Sequence, residues 1–259
     1  MDAPTANVNV TIRFNRFLPY WAVLQTDLRQ TLRSWVYRLW VLTTVVAAGG
    51  SILYKVGVHR EAGIVQTASV QTGDLLRGLV VASLGLIALL AVSSVSAERS
   101  TVADAVLCRG ISRYQYFLAK WHARLVVVLL TFAALAGVVL VAHYLLFDPD
   151  LTALGGLVAV ALVAAVLLVV ISWGVTVGAL SNGTVMGITL FWLLLYGGIV
   201  LLSLLPDPYP TPDRMLGRLK FVLRGQYDPA LVTEVVTASL VLSAAAAVVG
   251  LAGFGRKDV

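Results

Sequence analysis

The sequence predicts an all-α integral membrane protein with six spanning helices, and three observations carry that prediction. Hydrophobic residues make up 59% of the 259-residue chain, and the mean hydropathy is +0.90. A soluble domain of this length has too few buried positions for so much apolar surface, so lipid must take the remainder. Several uninterrupted runs reach the roughly 20 residues needed to cross a bilayer at about 1.5 Å per residue. The few charged residues, 12% of the chain, lie mostly between those runs.

That placement also limits the function classes. The formal charge of +6 belongs to basic segments flanking spans, which argues against nucleic acid as a partner. One cysteine excludes an internal disulfide and any cysteine-rich metal site. No cleavable leader is expected, because about 38 mostly polar or amphipathic residues precede the first long apolar run. His-Glu-x-x-His is absent, as are paired carboxylates within a span, so nothing points to catalysis or a bound metal.

In chain order, residues 1–20 read as a flexible N-terminus. Residues 21–38 read as an amphipathic helix lying in the headgroup zone. Trp21, Leu24, Leu28, Leu32 and Trp35 recur at three- and four-residue steps, with Gln25, Asp27, Arg29 and Arg33 on the face expected to turn to water. Spans follow at 39–58, 78–97, 125–147, 151–180, 184–205 and 230–254. Gly49 and Gly50 in the first span suit close helix approach. Trp35, Trp40, Trp121 and Tyr144 fall where an interfacial belt is expected, and His143 sits near enough to a span end to snorkel. Small polar residues in the second and fourth spans (Ser93, Ser94, Ser96, Ser172, Thr176) and the glycines Gly174 and Gly178 read as helix-packing positions. Between the fifth and sixth spans, four prolines precede a short outer helix over Asp213–Arg224.

Lys and Arg counting sets the orientation. With the N-terminus inside, 12 of the 19 fall on cytoplasmic segments, which predicts both termini cytoplasmic in the cell membrane.

The densest group of charges joins the second and third spans. The second helix is expected to continue past Ser96 to Cys108, about 18 Å beyond the bilayer, and to break at Gly110. Ser112 and Gln115 then form a capping box that starts the next helix. The product is a cytoplasmic elbow carrying Glu98, Arg99, Asp104, Arg109, Arg113 and Lys120.

Glu98-Arg99, then Arg109-Gly110-Ile111-Ser112-Arg113 and Ala119-Lys120, together resemble the signature of ABC-2-type transporter permeases. The helix containing Asp27-Leu28-Arg29 and Leu32-Arg33 is similar to that family's cytoplasmic connecting helix, and the likeness runs over nearly the whole chain. One departure is Ser100-Thr101 where the family usually has Gly-Thr. The resemblance implies a permease subunit, an exporter, acting as a homodimer or paired with a second permease. It implies ATP-binding cassette subunits as partners, and Glu98, Arg99, Asp104, Arg109, Gly110, Ser112, Arg113 and Lys120 as the docking elbow. The chain has no Gly-x-x-x-x-Gly-Lys-Ser/Thr loop, so ATP and Mg²⁺ are expected on the partner and no cofactor on this chain. The competing expectations are a non-transporting membrane anchor and a lipid-modifying membrane enzyme. Membrane lipids are a partner in every case.

Overall fold

The computed structural model describes residues 17–62, 67–96, 111–204 and 211–256. The described residues are helical with no strand, and six helices are long and apolar enough to cross a membrane. In chain order they are α1 (Leu18–Arg33), α2 (Trp35–Ala62), α3 (Ala68–Ser96), α4 (Arg113–Leu146), α5 (Ala153–Leu180), α6 (Thr184–Ser203), α7 (Pro212–Gly217), α8 (Leu219–Leu223) and α9 (Pro229–Arg256). The six candidate spans are α2 to α6 and α9.

The amphipathic helix ends earlier than its periodicity suggests. Ser34 is extended (φ −64°, ψ 143°), and its hydroxyl accepts from the Tyr37 amide at 3.2 Å. One serine therefore closes α1 and caps α2, and Trp35–Arg38 join the first span rather than the surface helix. The polar connection between the first two spans is also shorter than expected. Gln71, Thr72, Gly73, Asp74 and Arg77 are all helical within α3. By contrast, α4 begins as expected: Ser112 and Gln115 form the full reciprocal capping box.

α5 is the central helix, packed against α3, α4, α6, α8 and α9. Its close approaches use glycine. A Cβ on Gly174 would lie 2.7 Å from the Ala91 side chain, and one on Gly178 would strike the backbone carbonyl of Val92. Thr176 donates to the Ala246 carbonyl of α9 at 2.8 Å, and Ser96 contacts Thr184 across α3 and α6 at 3.0 Å. Small and polar residues thus pack helix on helix, as their types suggest in a setting where apolar side chains gain nothing over lipid. Gly49 and Gly50 do not, since a Cβ on either meets nothing within 4 Å.

Two aromatic and polar expectations also fail. Trp40 is 1% exposed and belongs to the main core, so it is no belt residue. His143 is fully enclosed, its ring against Phe147 at 5.3 Å, and does not snorkel. Trp35 and Tyr144 are exposed as a belt requires.

The short helix expected over Asp213–Arg224 is two helices, α7 and α8, which bury Met215, Leu216, Leu219, Val222 and Leu223 against α3 and α5. Gly225 (φ 82°) ends α8 in a left-handed conformation. Its amide returns to Val222, and that of Gln226 to Phe221, both at 2.9 Å.

An ionic clamp holds this end together. Asp150, in the turn before α5, accepts from the Ser69 amide at 2.7 Å and so places an anion at the N-terminus of α3. Its other oxygen takes the Ser69 hydroxyl at 2.5 Å and Arg224 Nε at 2.8 Å. Arg224 also reaches the Thr67 hydroxyl at 3.2 Å. Partial burial works to raise the Asp150 pKa, but the two Ser69 donors and Arg224 outweigh it, and the net shift is downward. The sign of the pH effect follows. A carboxylate with a depressed folded pKa stabilises the fold fully above its unfolded value, and the contribution disappears as pH falls through the folded one. Melting of the detergent-solubilised protein between pH 6 and 3 is expected to drop at the acid end, and to drop less in Asp150→Asn. Parallel acid limbs for the two proteins would remove the clamp as a source of stability.

Candidate functional site

The most unusual chemistry among the described residues is a buried charge cluster where α1, α3 and α4 meet. α1 lays Tyr20, Val23, Leu24 and Leu28 against Ala119 and Ala123 of α4, two small residues that admit a close approach. At helical spacing the same stripe includes Asp27 and Thr31, which are 2% and 1% exposed. Lys120 and Arg124, four residues apart on α4, face them at 2% and 7% exposure.

Asp27 Oδ1 accepts from Lys120 Nζ at 3.1 Å and lies 3.5 Å from Arg124 Nη2. Arg124 Nη1 donates to the Thr31 hydroxyl, which in turn donates to the Asp27 carbonyl at 2.6 Å. Lys120 Nζ donates to the Ser94 carbonyl at 2.9 Å, two residues before α3 ends, and lies 5.2 Å from the centre of the Tyr116 ring. Near the start of α1, the Tyr20 hydroxyl meets His122 Nδ1 at 3.1 Å. One ammonium thus joins three helices, and one carboxylate serves two cations.

Three desolvated charges are costly, and only their mutual attraction and hydrogen bonds offset that cost. Such a cluster stabilises little relative to an apolar replacement, but it fixes one geometry and penalises loss of any single member. Its chemical capability is positional: the carboxylate and both cations are engaged with one another and with Ser94 and Thr31.

The residues expected to be functional separate into three groups. Asp27 and Lys120 come together, but buried and paired with each other. This corrects both placements: Asp27 does not face water, and Lys120 does not stand on an exposed elbow. Their apolar neighbours, Leu24 and Ala119, decide the matter by drawing that stripe into the protein. Arg29 and Arg33 stay exposed on α1, Ser112 is the exposed cap of α4, and Arg113 beside it is half-buried. Glu98, Arg99, Asp104, Arg109 and Gly110 lie outside the described residues.

Thr31 and Arg124 were absent from the expected site. The signal for Thr31 was its place on the stripe running through Tyr20, Leu24, Asp27 and Leu28. For Arg124 it was the four-residue step from Lys120. No known protein-family profile matches this chain, and no curated protein matches it.

Proposed function

We propose that the chain is the membrane-spanning permease subunit of an ABC-2-type transporter. It is an exporter driven by separate ATP-binding subunits that carry the ATP and Mg²⁺, and it works as a homodimer or beside a second permease in the cell membrane. Both termini are cytoplasmic in this reading, which rests on the elbow motifs and the Lys and Arg distribution.

The observation that best supports it is the three-way junction at Lys120. A transporter powered in trans must convert a push on its cytosolic surface into helix movement. The connection between α3 and α4 starts at the end of α3, two residues beyond the Ser94 carbonyl tied to Lys120, and finishes at the start of the helix that carries Lys120. Force on that connection therefore reaches α1, α3 and α4 together. In this scheme Glu98, Arg99, Asp104, Arg109, Gly110, Ser112 and Arg113 contact the ATPase, while Asp27, Lys120 and Arg124 transmit.

The test is mild-detergent purification from the native cell, followed by ATPase assays on the complex. An ATP-binding subunit is expected to co-purify. Charge reversal at Glu98 or Arg113 is expected to lower stimulation of hydrolysis several-fold, while reversal at Arg60, on the opposite side in this topology, has no effect. Purification without any ATPase, or full stimulation by the elbow variants, would overturn the proposal.

A further inference from the structure

Helix α1 has three distinct stripes, one of which packs into the core against α4. Tyr20, Leu24, Asp27 and Thr31 face α4. A second stripe exposes Phe17, Trp21 and Leu32, at 71%, 62% and 47%, and leads to Trp35 at 69% where α2 enters the membrane. The third carries Thr26, Arg29, Gln30 and Arg33, which line a shallow open concavity with Ser34 at the helix end.

Arg29 and Arg33 make no ion pair or hydrogen bond among the described residues. They stand one helical turn apart, where their side chains can converge on one group. Of the neutral side chains beside them, Gln30 offers amide donors, whereas the Thr26 and Ser34 hydroxyls already donate to the Ala22 and Thr31 carbonyls, both at 2.8 Å. Asp27, the acid nearest in sequence, is turned to the opposite side and engaged with Lys120. A shallow patch with two guanidinium groups and, among the described residues, no opposing carboxylate suits a phosphate oxyanion. The adjacent aromatic and apolar stripe suits acyl chains rather than a soluble nucleotide or an acidic protein segment.

We propose that α1 is a binding site for anionic phospholipid. Arg29 and Arg33 bracket the phosphate of the headgroup, the Gln30 amide adds a further donor, and Phe17, Trp21 and Leu32 enter the acyl boundary. The proposal does not depend on the transporter reading or on which leaflet α1 occupies. A lipid held there fixes α1 from outside, while the Asp27 junction fixes it from inside.

The experiment titrates delipidated full-length protein with phosphatidylglycerol and, separately, phosphatidylcholine, and counts bound lipids by native mass spectrometry. Wild type is expected to retain phosphatidylglycerol preferentially. Arg29→Gln with Arg33→Gln is expected to weaken that retention by at least tenfold and to leave phosphatidylcholine unchanged. Arg29→Lys with Arg33→Lys, which keeps the charge, is expected to fall between, and Arg60→Gln to behave as wild type. Because both arginines are exposed, thermal melting should be unaffected, which separates lost binding from lost folding. Soluble glycerol phosphate should fail to displace the lipid, since it lacks acyl chains for the second stripe. Equal retention of the two lipids by wild type, unchanged retention in the glutamine variant, or displacement by glycerol phosphate would each overturn the proposal.

Discussion

Asp27→Ala is expected to be the most damaging single truncation in the described part of the chain, costing about 3–5 kcal/mol. It removes the carboxylate that serves two buried cations and leaves Lys120 and Arg124 desolvated. Both cations have further partners beyond Asp27, so the lower end of that range is expected. Loss should be local first: α1 detaches from α4, and trypsin cuts at Arg29 and Arg33 before the spans unfold. Thermal melting and timed proteolysis of the detergent-solubilised protein measure the two effects. The double variant Asp27→Ala, Lys120→Met is expected to recover part of the loss, since it removes an uncompensated charge and retains an apolar stem. If Asp27→Ala melts and resists trypsin like wild type, the cluster contributes neither stability nor geometry.

Gly178→Val should approach it in size by a different route. Its new Cβ would strike the Val92 carbonyl, and the Val92 Cα and carbonyl carbon lie only 3.0 Å away. Those are backbone atoms and cannot swing aside, so α5 must retreat from α3. Overpacking of this kind costs about 1–3 kcal/mol for a few methyl groups, and a branched side chain against backbone belongs at the upper limit. Gly49→Ala is the matched control. Its Cβ meets nothing within 4 Å, so its stability should change by no more than about 1 kcal/mol. Denaturant titration in one detergent compares the pair. Equal midpoints for the two would show that the α3–α5 contact is not tight at Gly178.

What could be read from the sequence was local or averaged. The capping box at Ser112 needs only residues three apart, and the spans need only an apolar mean over about 20 residues. What could not be read required knowing which helix lies beside which. Gly49-Gly50 and Gly174…Gly178 look alike as text, yet only the second pair meets a neighbour. Trp40 falls where the sequence suggests a belt residue but is buried in the main core. His143 is near a helix end, but the elements packed around it enclose its ring. Asp27 stood among polar residues in sequence order, and that order favoured water. Its angular position between Leu24 and Thr31 favoured burial, and burial prevailed once Ala119 and Ala123 offered a surface close enough for Lys120 to reach.

The pairing of Asp27 with Lys120 spans 93 residues, and that interval has a meaning in time as well as in space. At about 5–20 residues per second, the ribosome needs roughly 5–20 s after making Asp27 to deliver its partners. Two spanning helices must leave the insertion machinery in the meantime, and the α4 surface that buries Asp27 does not yet exist. On the lipid-binding proposal, the stripe of Phe17, Trp21 and Leu32 gives the bilayer surface as its waiting place, with Arg29 and Arg33 in the headgroups. Asp27 stays hydrated there until α4 arrives. Seating α1 is therefore a late act of biogenesis, completed only after the third span is in the membrane. A chain truncated before Lys120 carries an N-terminal helix with a charge it cannot bury.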